Sequence, residues 1–287
     1  MKYRSGLVVS MLIFGTIGVL RRHIGLGSGA LAMLRGYIGA ACLIAFMLIS
    51  RRGVDMAAVK RSIAKLLVSG AFIGLNWMLL FEAYNHTSVA TATLCYYMAP
   101  VIVMLLSPAV LKERLTRRQL ICAGIAVIGM IPVSGILSLE GFALSEIKGV
   151  LLGLGAAALY GCVILMNKRI TSVGAMDRTV VQLLAAAVVV TPYVFAAEGF
   201  SFADMTGKDI LLTLVAGVIH TGAAYAMYFG SITRLPARTV ALVSYADPIF
   251  AVILSATVLG EAMSPIGWLG AALVLGATVV SELPENN

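Results

Sequence analysis

Four ionisable side chains stand in stretches that are otherwise apolar, where a charge or a proton could do chemistry. Asp247 lies in the apolar stretch 240–259, where an exposed carboxylate costs roughly 2.5 to 3.5 kcal/mol to insert into a bilayer. His220 can exchange a proton near neutral pH or pair with Asp247. Asp247 and Glu82 suit a cation, Arg35 suits a carboxylate, and together they suit a zwitterion such as an amino acid.

Each of these side chains also has a structural interpretation. Asp247 could make a hydrogen bond between helices, and His220 could be a packing histidine with its polar atoms satisfied. Arg35 and Glu82 could extend toward the outer membrane interface, because long side chains keep their charged ends in water. Asp247 is the strongest functional candidate, since a carboxylate at mid-membrane must face a partner or water.

The other candidate substrate-binding residues are polar or aromatic. The amide of Asn76 predicts helix-to-helix hydrogen bonding or ligand contact. The rings are expected to pack, or to line an amphipathic cavity that could hold a cation. The set comprises Asn76, Trp77, Tyr96, Tyr225, Ser244 and Tyr245.

Two prolines and two glutamates are expected to shape the helices. Pro100 and Pro248 each remove a backbone donor, so each predicts a bend that a gate or a central site would use. Glu113 and Glu261 each precede a helix-start signal, Thr116-x-x-Gln119 and Ser264-Pro265. These glutamates are therefore expected to tie helix corners, with gating as the alternative role.

The elements that position these residues must lie in a membrane. Of the 287 residues, 60% are apolar and 12% are charged, whereas a soluble domain is about half apolar and about a quarter charged. The net charge of +8 comes from short clusters between apolar runs, which argues against nucleic acid as a partner. The four cysteines show no metal or redox spacing and are expected to be core residues.

A bilayer core about 30 Å thick needs about twenty helical residues per crossing. Apolar runs of that length predict ten spans, all helical, with a first span that is not a cleaved signal peptide. The predicted spans are 6–22, 29–50, 64–84, 88–111, 118–138, 148–167, 178–197, 209–231, 237–259 and 265–282.

The distribution of Lys and Arg predicts how the chain crosses the membrane. With the N-terminus inside, most of the 21 basic residues fall in cytoplasmic loops. The exceptions are Arg21, Arg22, Lys148 and Lys208 outside, and Arg35 within a span. The sequence thus predicts a multi-pass protein of the cell (inner or plasma) membrane with both termini cytoplasmic.

An internal repeat divides the chain. An offset of 148 residues pairs Pro100 with Pro248 and Glu113 with Glu261, while basic loops of one half correspond to neutral or acidic loops of the other. Five spans per half is an odd number, so the second half should cross in the opposite sense. The predicted units are residues 1–140 (spans 1 to 5) and 147–283 (spans 6 to 10), an inverted repeat that suits alternating access.

At these motifs, Ala99-Pro100 to Glu113 and Asp247-Pro248 to Glu261, the chain resembles the EamA family of the drug/metabolite transporter superfamily. The resemblance covers nearly the whole chain and implies a ten-helix transporter of small metabolites, often an exporter. Asp247 departs from the apolar or small residue expected before the second proline, so the resemblance leaves the substrate class open.

These patterns predict a secondary transporter, with export the expected direction, that moves a small polar metabolite, with amino acids or related zwitterions favoured. The alternatives are an exporter of organic or quaternary ammonium cations, and a passive channel or scaffold. No nucleotide-binding loop, catalytic cluster or cofactor motif is present in the sequence, so no enzyme activity and no cofactor are expected. Expected partners are the small-molecule substrate and the lipid bilayer, with protons as candidate coupling ions.

A glycine-rich face on span 6 predicts a close neighbour. Gly149, Gly153, Ala157 and Gly161 repeat every four residues, which leaves one side of the helix nearly bare backbone. The pattern does not distinguish a neighbour in the same chain from the second subunit of a homodimer.

Overall fold

The computed structural model describes residues 2–112, 115–134, 144–232, 234–235 and 237–283, and within them the regular structure is helical. The first half forms α1 Lys2–Gly15, α2 Ile17–Arg22, α3 Ser28–Ile49, α4 Met56–His86, α5 Val89–Tyr96, α6 Ala99–Leu111 and α7 Arg117–Val133. The second half forms α8 Leu144–Arg169, α9 Ala175–Ala196, α10 Gly207–Leu214, α11 Ala224–Ile232, α12 Ala237–Ser244, α13 Ala246–Thr257 and α14 Pro265–Glu282. A 3-10 turn, Phe202–Asp204, precedes α10, and a π-helix, Val215–Ala223, joins α10 to α11.

Seven helical stretches of the described chain are long and apolar enough to cross a membrane. They correspond to the predicted spans 1 to 4 and 6 to 8. The other three predicted spans coincide with shorter helical stretches of the described chain, namely α7, which has 17 residues, and the apolar stretches Leu242–Thr257 and Pro265–Ser281. Large apolar side chains remain exposed, as at Leu48 (74%) and Ile49 (84%), as expected for surfaces that face lipid.

Both predicted bends are interruptions of the helix. Tyr97 and Met98 form a turn between α5 and α6, just before Pro100, and Tyr245 separates α12 from α13 just before Pro248. Proline cannot donate to the carbonyl four residues earlier, so each helix restarts with the proline in its first turn. The restart leaves irregular backbone inside both membrane segments.

The two halves pack extensively on each other. The largest helix contacts join α4 to α8 and α9, α3 to α9, and α7 to α14. The glycine face of α8 has its neighbour in the same chain, since a Cβ added at Gly153 would lie 2.8 Å from Cβ of Cys95 on α5, and one added at Gly149 would lie 2.8 Å from Thr87. Small residues therefore bring α8 of one half against the broken helix of the other.

The predicted helix starts after the two glutamates are confirmed. Thr116 and Gln119 form a reciprocal capping box at α7, and the Ser264 hydroxyl accepts from the Gly267 amide at α14, with Pro265 in the first turn. These caps fix where the last helix of each half begins.

Candidate functional site

Asp247 lies in the first turn of α13, directly after the interruption at Tyr245. It is partly exposed, and its Oδ2 accepts a hydrogen bond from the hydroxyl of Tyr97. Tyr97 belongs to the matching interruption in the first half, so the bond joins the two broken helices. Within the described chain the other carboxylate oxygen, Oδ1, has no hydrogen-bond partner, which leaves it available to a solute.

Arg35 is buried in α3, with 6% of its surface exposed. Its Nε donates to the Thr221 hydroxyl at 2.8 Å, and its guanidinium carbon lies 4.2 Å from the centre of the Trp77 ring and 5.8 Å from that of Phe81. Cation–π contact of this kind contributes about 0.5 to 2 kcal/mol. The expectation that Arg35 extends to the membrane interface is wrong, because the aromatic rings and Thr221 hold it inside the bundle.

Aromatic side chains connect Arg35 to Asp247. Tyr96 packs in the same buried cluster as Trp77 and edge-on against Tyr97. No direct ion pair joins the two charged residues. The ion pairs found among the described residues are Arg22–Glu261 and His86–Glu82. The terminal nitrogens of Arg35 likewise lack hydrogen-bond partners within the described part of the chain. A cation and an anion from opposite halves therefore both keep unused hydrogen-bonding capacity.

Tyrosine side chains lie beside Arg35. Tyr96 and Tyr225 pack against the buried cluster that contains Trp77. The Tyr96 ring stacks on Tyr160, with centroids 5.3 Å apart, and the Tyr225 ring packs edge-on against Phe14 at 5.4 Å. The predicted aromatic residues Trp77, Tyr96 and Tyr225 are thus brought together with Arg35, in an amphipathic surrounding suited to a small polar solute.

His220 does not make the expected pair with Asp247. Its Nε2 lies 2.8 Å from the Thr16 hydroxyl and its Nδ1 lies 3.3 Å from the Val215 carbonyl. The contact with Val215 follows from the π-helix, whose wider turn sets side chains against carbonyls five residues earlier. Thr221 uses the same geometry, since it donates to the Ala216 carbonyl at 3.2 Å while accepting from Arg35.

π-helical turns occur frequently at functional sites, and this one positions Thr221 for Arg35. The sequence carries no periodicity that marks such a turn. Thr221 and Tyr97 are therefore the two site residues that sequence reasoning missed. The pairing of Tyr97 with Tyr245 at the repeat offset was the one available signal for Tyr97.

Three other candidates have structural contacts. Asn76 is 1% exposed and its Nδ2 donates to the Ala156 carbonyl at 2.5 Å, which ties α4 to α8. The Ser244 hydroxyl donates to the Val240 carbonyl of its own helix at 2.9 Å. Tyr245 is buried at the interruption, with 7% of its surface exposed. Asn76 thus makes a helix-to-helix hydrogen bond, one of its two predicted roles, while its Oδ1 is buried with no hydrogen-bond partner among the described residues.

Glu82 belongs to a polar network at one end of the bundle and is not grouped with Asp247. Its carboxylate accepts from Ser28 at 2.8 Å and from Asn85 at 2.9 Å, and it lies 3.1 Å from Nε2 of His86. Buried Arg21 joins this network through Ser28 and Asn85, both at 3.2 Å. The carboxylate of Glu82 suggested a ligand for a cation, and its position at the end of its helix suggested extension toward the interface. The structure shows it in contact with Ser28, Asn85 and His86.

Three carboxylates of the second half bind the first half at this same end, which we call the carboxylate end. Glu198 accepts from the amides of Gly29 and Ala30 at 2.8 and 2.9 Å. Asp209 accepts from the Gly25 amide at 2.7 Å. A carboxylate at a helix start satisfies donors that the helix leaves unpaired, so Glu198 anchors the start of α3.

Glu261 is the third of these carboxylates. Its Oε2 accepts from the Val89 amide at 2.7 Å and from the Ser255 hydroxyl, while its Oε1 lies 2.6 Å from Nη2 of Arg22. Arg22 also donates to the Thr87 carbonyl at 2.9 Å. Glu261 was expected to tie its own helix corner, and the structure extends that role because it also ties the corner to α5 and α2 of the other half.

Contacts at the carboxylate end also hold Arg21 and Arg22, the two basic residues of the first loop that the predicted topology places outside. Arg21 is buried among Ile24, Ser28 and Asn85, and Arg22 pairs with Glu261. Both arginines are therefore held by folded structure at the carboxylate end. Glu113, the counterpart of Glu261, lies outside the described residues.

We predict that each carboxylate protects its own amides from hydrogen exchange. Glu261→Ala should speed exchange at Val89, because that amide loses its acceptor, and leave Gly29 and Ala30 unchanged. Glu198→Ala is the matched control and should give the reverse pattern. Mass-spectrometric exchange of the protein in nanodiscs would measure both, and equal acceleration at both places would contradict independent contacts.

Two stretches of the chain, which together span most of it, match a known family. The sequence model of the EamA-like transporter family matches residues 3–135 and 147–282. The uncharacterized transporter YxxF of Bacillus subtilis (strain 168) is 28% identical over 254 residues, which are 88% of this chain and 81% of that protein. YwfM of the same organism, also named an uncharacterized transporter, is 30% identical over 72% of this chain and 69% of its own length.

Protein RarD of Escherichia coli (strain K12) is 27% identical over 70% of this chain and 65% of its own length. A solved crystal structure superposes with a TM-score of 0.69 at 18% identity, and covers 98% of this chain and 96% of that one. That likeness shows a shared fold. Because the two family matches together span most of the chain, this protein belongs to the EamA-like transporter family.

Proposed function

We propose that this protein is a secondary transporter that moves a small zwitterionic metabolite across the cell membrane. The observation that carries the proposal is the pair of Arg35 and Asp247, which lie inside the bundle with unused hydrogen-bonding atoms. An α-amino acid or a related zwitterion offers a carboxylate for Arg35 and an ammonium for Asp247. Trp77, Tyr96 and Tyr225 supply the apolar surroundings for its remaining atoms.

Alternating access is the proposed mechanism, with ten spans arranged as two inverted repeats, 1–140 and 147–283. The matching interruptions before Pro100 and Pro248 support it, since irregular backbone at mid-membrane lies where a solute cavity forms. Glu198, Asp209 and Glu261 join the halves at the carboxylate end, and in this proposal their contacts keep that end closed. Release of these contacts opens that end, and export is the proposed direction.

Energy comes from solute or proton gradients in this proposal. Asp247 is the proton-carrying candidate, because a carboxylate that faces a cavity can alternate between a proton and a cationic solute. His220 is the second candidate, although its contacts with Thr16 and Val215 also suit a packing role.

Export of organic cations is the second candidate function. The aromatic rings around Arg35 and Asp247 favour it, because tyrosine and tryptophan faces attract cations, including quaternary ammonium groups. The charge of Arg35 opposes it, since a solute without an anionic group leaves that guanidinium unmatched. A passive channel or scaffold would show unsaturable flux or none.

A thermal-shift screen of the purified protein against amino acids, organic cations and organic acids tests the proposal. Solutes that raise the melting temperature are then measured for flux into liposomes. Saturable, gradient-driven flux of a zwitterion is the expected result. Saturable flux of cations alone would favour the second candidate, and unsaturable flux would contradict a carrier.

We predict that the carboxylate end is external and that both termini are cytoplasmic. In a background that lacks the four native cysteines, a cysteine at position 262 should react with an impermeant maleimide in intact cells. A cysteine at position 116 is the matched control and should react only after permeabilisation. The reverse pattern would contradict the proposed orientation, which rests on the Lys and Arg bias.

A further inference from the structure

We propose that Tyr97 sets the class of cation that this site accepts, and that it selects an ammonium group over a guanidinium group. The inference rests on the proposed function, in that Asp247 is taken to receive the positive end of the solute. It adds a specificity determinant that lies in the other half of the chain from the carboxylate.

The hydrogen bond from Tyr97 occupies one oxygen of Asp247. The phenol hydroxyl donates to Oδ2, and Oδ1 has no partner within the described residues. Asp247 is partly exposed, so the unpaired oxygen is not sealed in the packing. The carboxylate therefore presents one oxygen with no other partner and one oxygen that a solute has to share with Tyr97.

The Tyr97 hydroxyl is held in this position by its surroundings. Its backbone amide donates to the Thr93 carbonyl at 2.9 Å, which fixes the turn between α5 and α6. Its ring packs edge-on against Tyr96 with centroids 6.0 Å apart, and Tyr96 stacks in turn on Tyr160. A solute cannot displace the hydroxyl without disturbing this aromatic row.

A carboxylate with one oxygen already bonded to Tyr97 should bind an ammonium group well and a guanidinium group less well. An ammonium is a compact charge whose three donors rotate freely, so a single carboxylate oxygen satisfies one of them. A guanidinium binds a carboxylate best through two parallel N–H donors, one to each oxygen. The Tyr97 hydroxyl already takes one of the two lone-pair positions on Oδ2, so a guanidinium has to share that oxygen with Tyr97 and its second bond is weakened.

Tyr97→Phe tests the inference, because it removes the hydroxyl and keeps the ring. The probes are n-butylammonium and n-butylguanidinium, titrated by calorimetry into the full-length protein in detergent. The wild type should bind butylammonium more tightly. The variant should shift the ratio of the two affinities toward butylguanidinium by about tenfold, the value of one additional hydrogen bond to a charged group.

Tyr228→Phe is the matched control, since Tyr228 packs against Phe14 and Phe229 and should leave the ratio unchanged. If Tyr97→Phe does not fold, Tyr97→Met also removes the hydroxyl and should shift the ratio in the same direction. An unchanged ratio in a folded Tyr97 variant overturns the inference and leaves the transporter proposal standing. Failure of both probes to bind the wild type, with solute flux insensitive to Asp247→Asn, overturns both.

Discussion

Asp247→Asn is expected to abolish concentrative transport and to leave the protein folded. The amide has nearly the volume of the carboxylate, and its oxygen can still accept the hydrogen bond from Tyr97. What disappears is the charge that would balance a cationic group or take up a proton. Flux driven by a gradient in liposomes should fall to the level of protein-free vesicles.

The pH dependence of transport distinguishes this role from packing. If Asp247 carries a proton, wild-type flux should follow its titration, and the Asn variant should show a flatter profile. Asp177→Asn is the matched control, because Asp177 is also buried, with 6% of its surface exposed, but lies at the start of α9 near Asp55. If Asp247→Asn had the flux and pH dependence of the wild type, Asp247 would have a structural role and would not bind a proton or a cationic group during transport.

Local signals in the sequence predicted those features of the candidate site that form within a single helix. A carboxylate in an apolar run identified Asp247, and each proline identified the interruption beside it, because both effects act within a few residues of the chain. The capping box at Thr116 and the helix start at Ser264 were predicted for the same reason. Such features need no knowledge of which helices become neighbours.

Contacts between the halves could not be predicted in this way. Tyr97 and Asp247 are 150 residues apart and Arg35 and Thr221 are 186 apart, and no local pattern encodes either pairing. The π-helix adds a second obstacle, since it changes which side chains face inward without a change in apolar composition. Glu82 shows the opposite kind of error. It was grouped with Asp247 because both are carboxylates, yet it contacts Ser28, Asn85 and His86 at one end of the bundle.

Arg35→Lys is expected to remove recognition of the solute's carboxylate while keeping the positive charge. Lysine has a single nitrogen, so it cannot keep both the cation–π contact over Trp77 and the hydrogen bond to Thr221 as the guanidinium does. It also lacks the paired donors that match a carboxylate. Loss of a charge-assisted hydrogen bond costs about 1.5 to 3 kcal/mol, or about ten- to a hundredfold in affinity. Calorimetry with an amino acid found in the screen would measure that loss.

The decarboxylated amine of the same amino acid provides the comparison that isolates Arg35. It lacks the carboxylate, so its affinity should change little in Arg35→Lys, and the preference of the protein for the zwitterion should shrink. Arg178→Lys is the matched control, because Arg178 donates to the backbone carbonyls of Asn167 and Ile170 and should leave that preference intact. Equal weakening of amine and amino acid in Arg35→Lys would mean that Arg35 supports the fold of the site and does not bind the carboxylate.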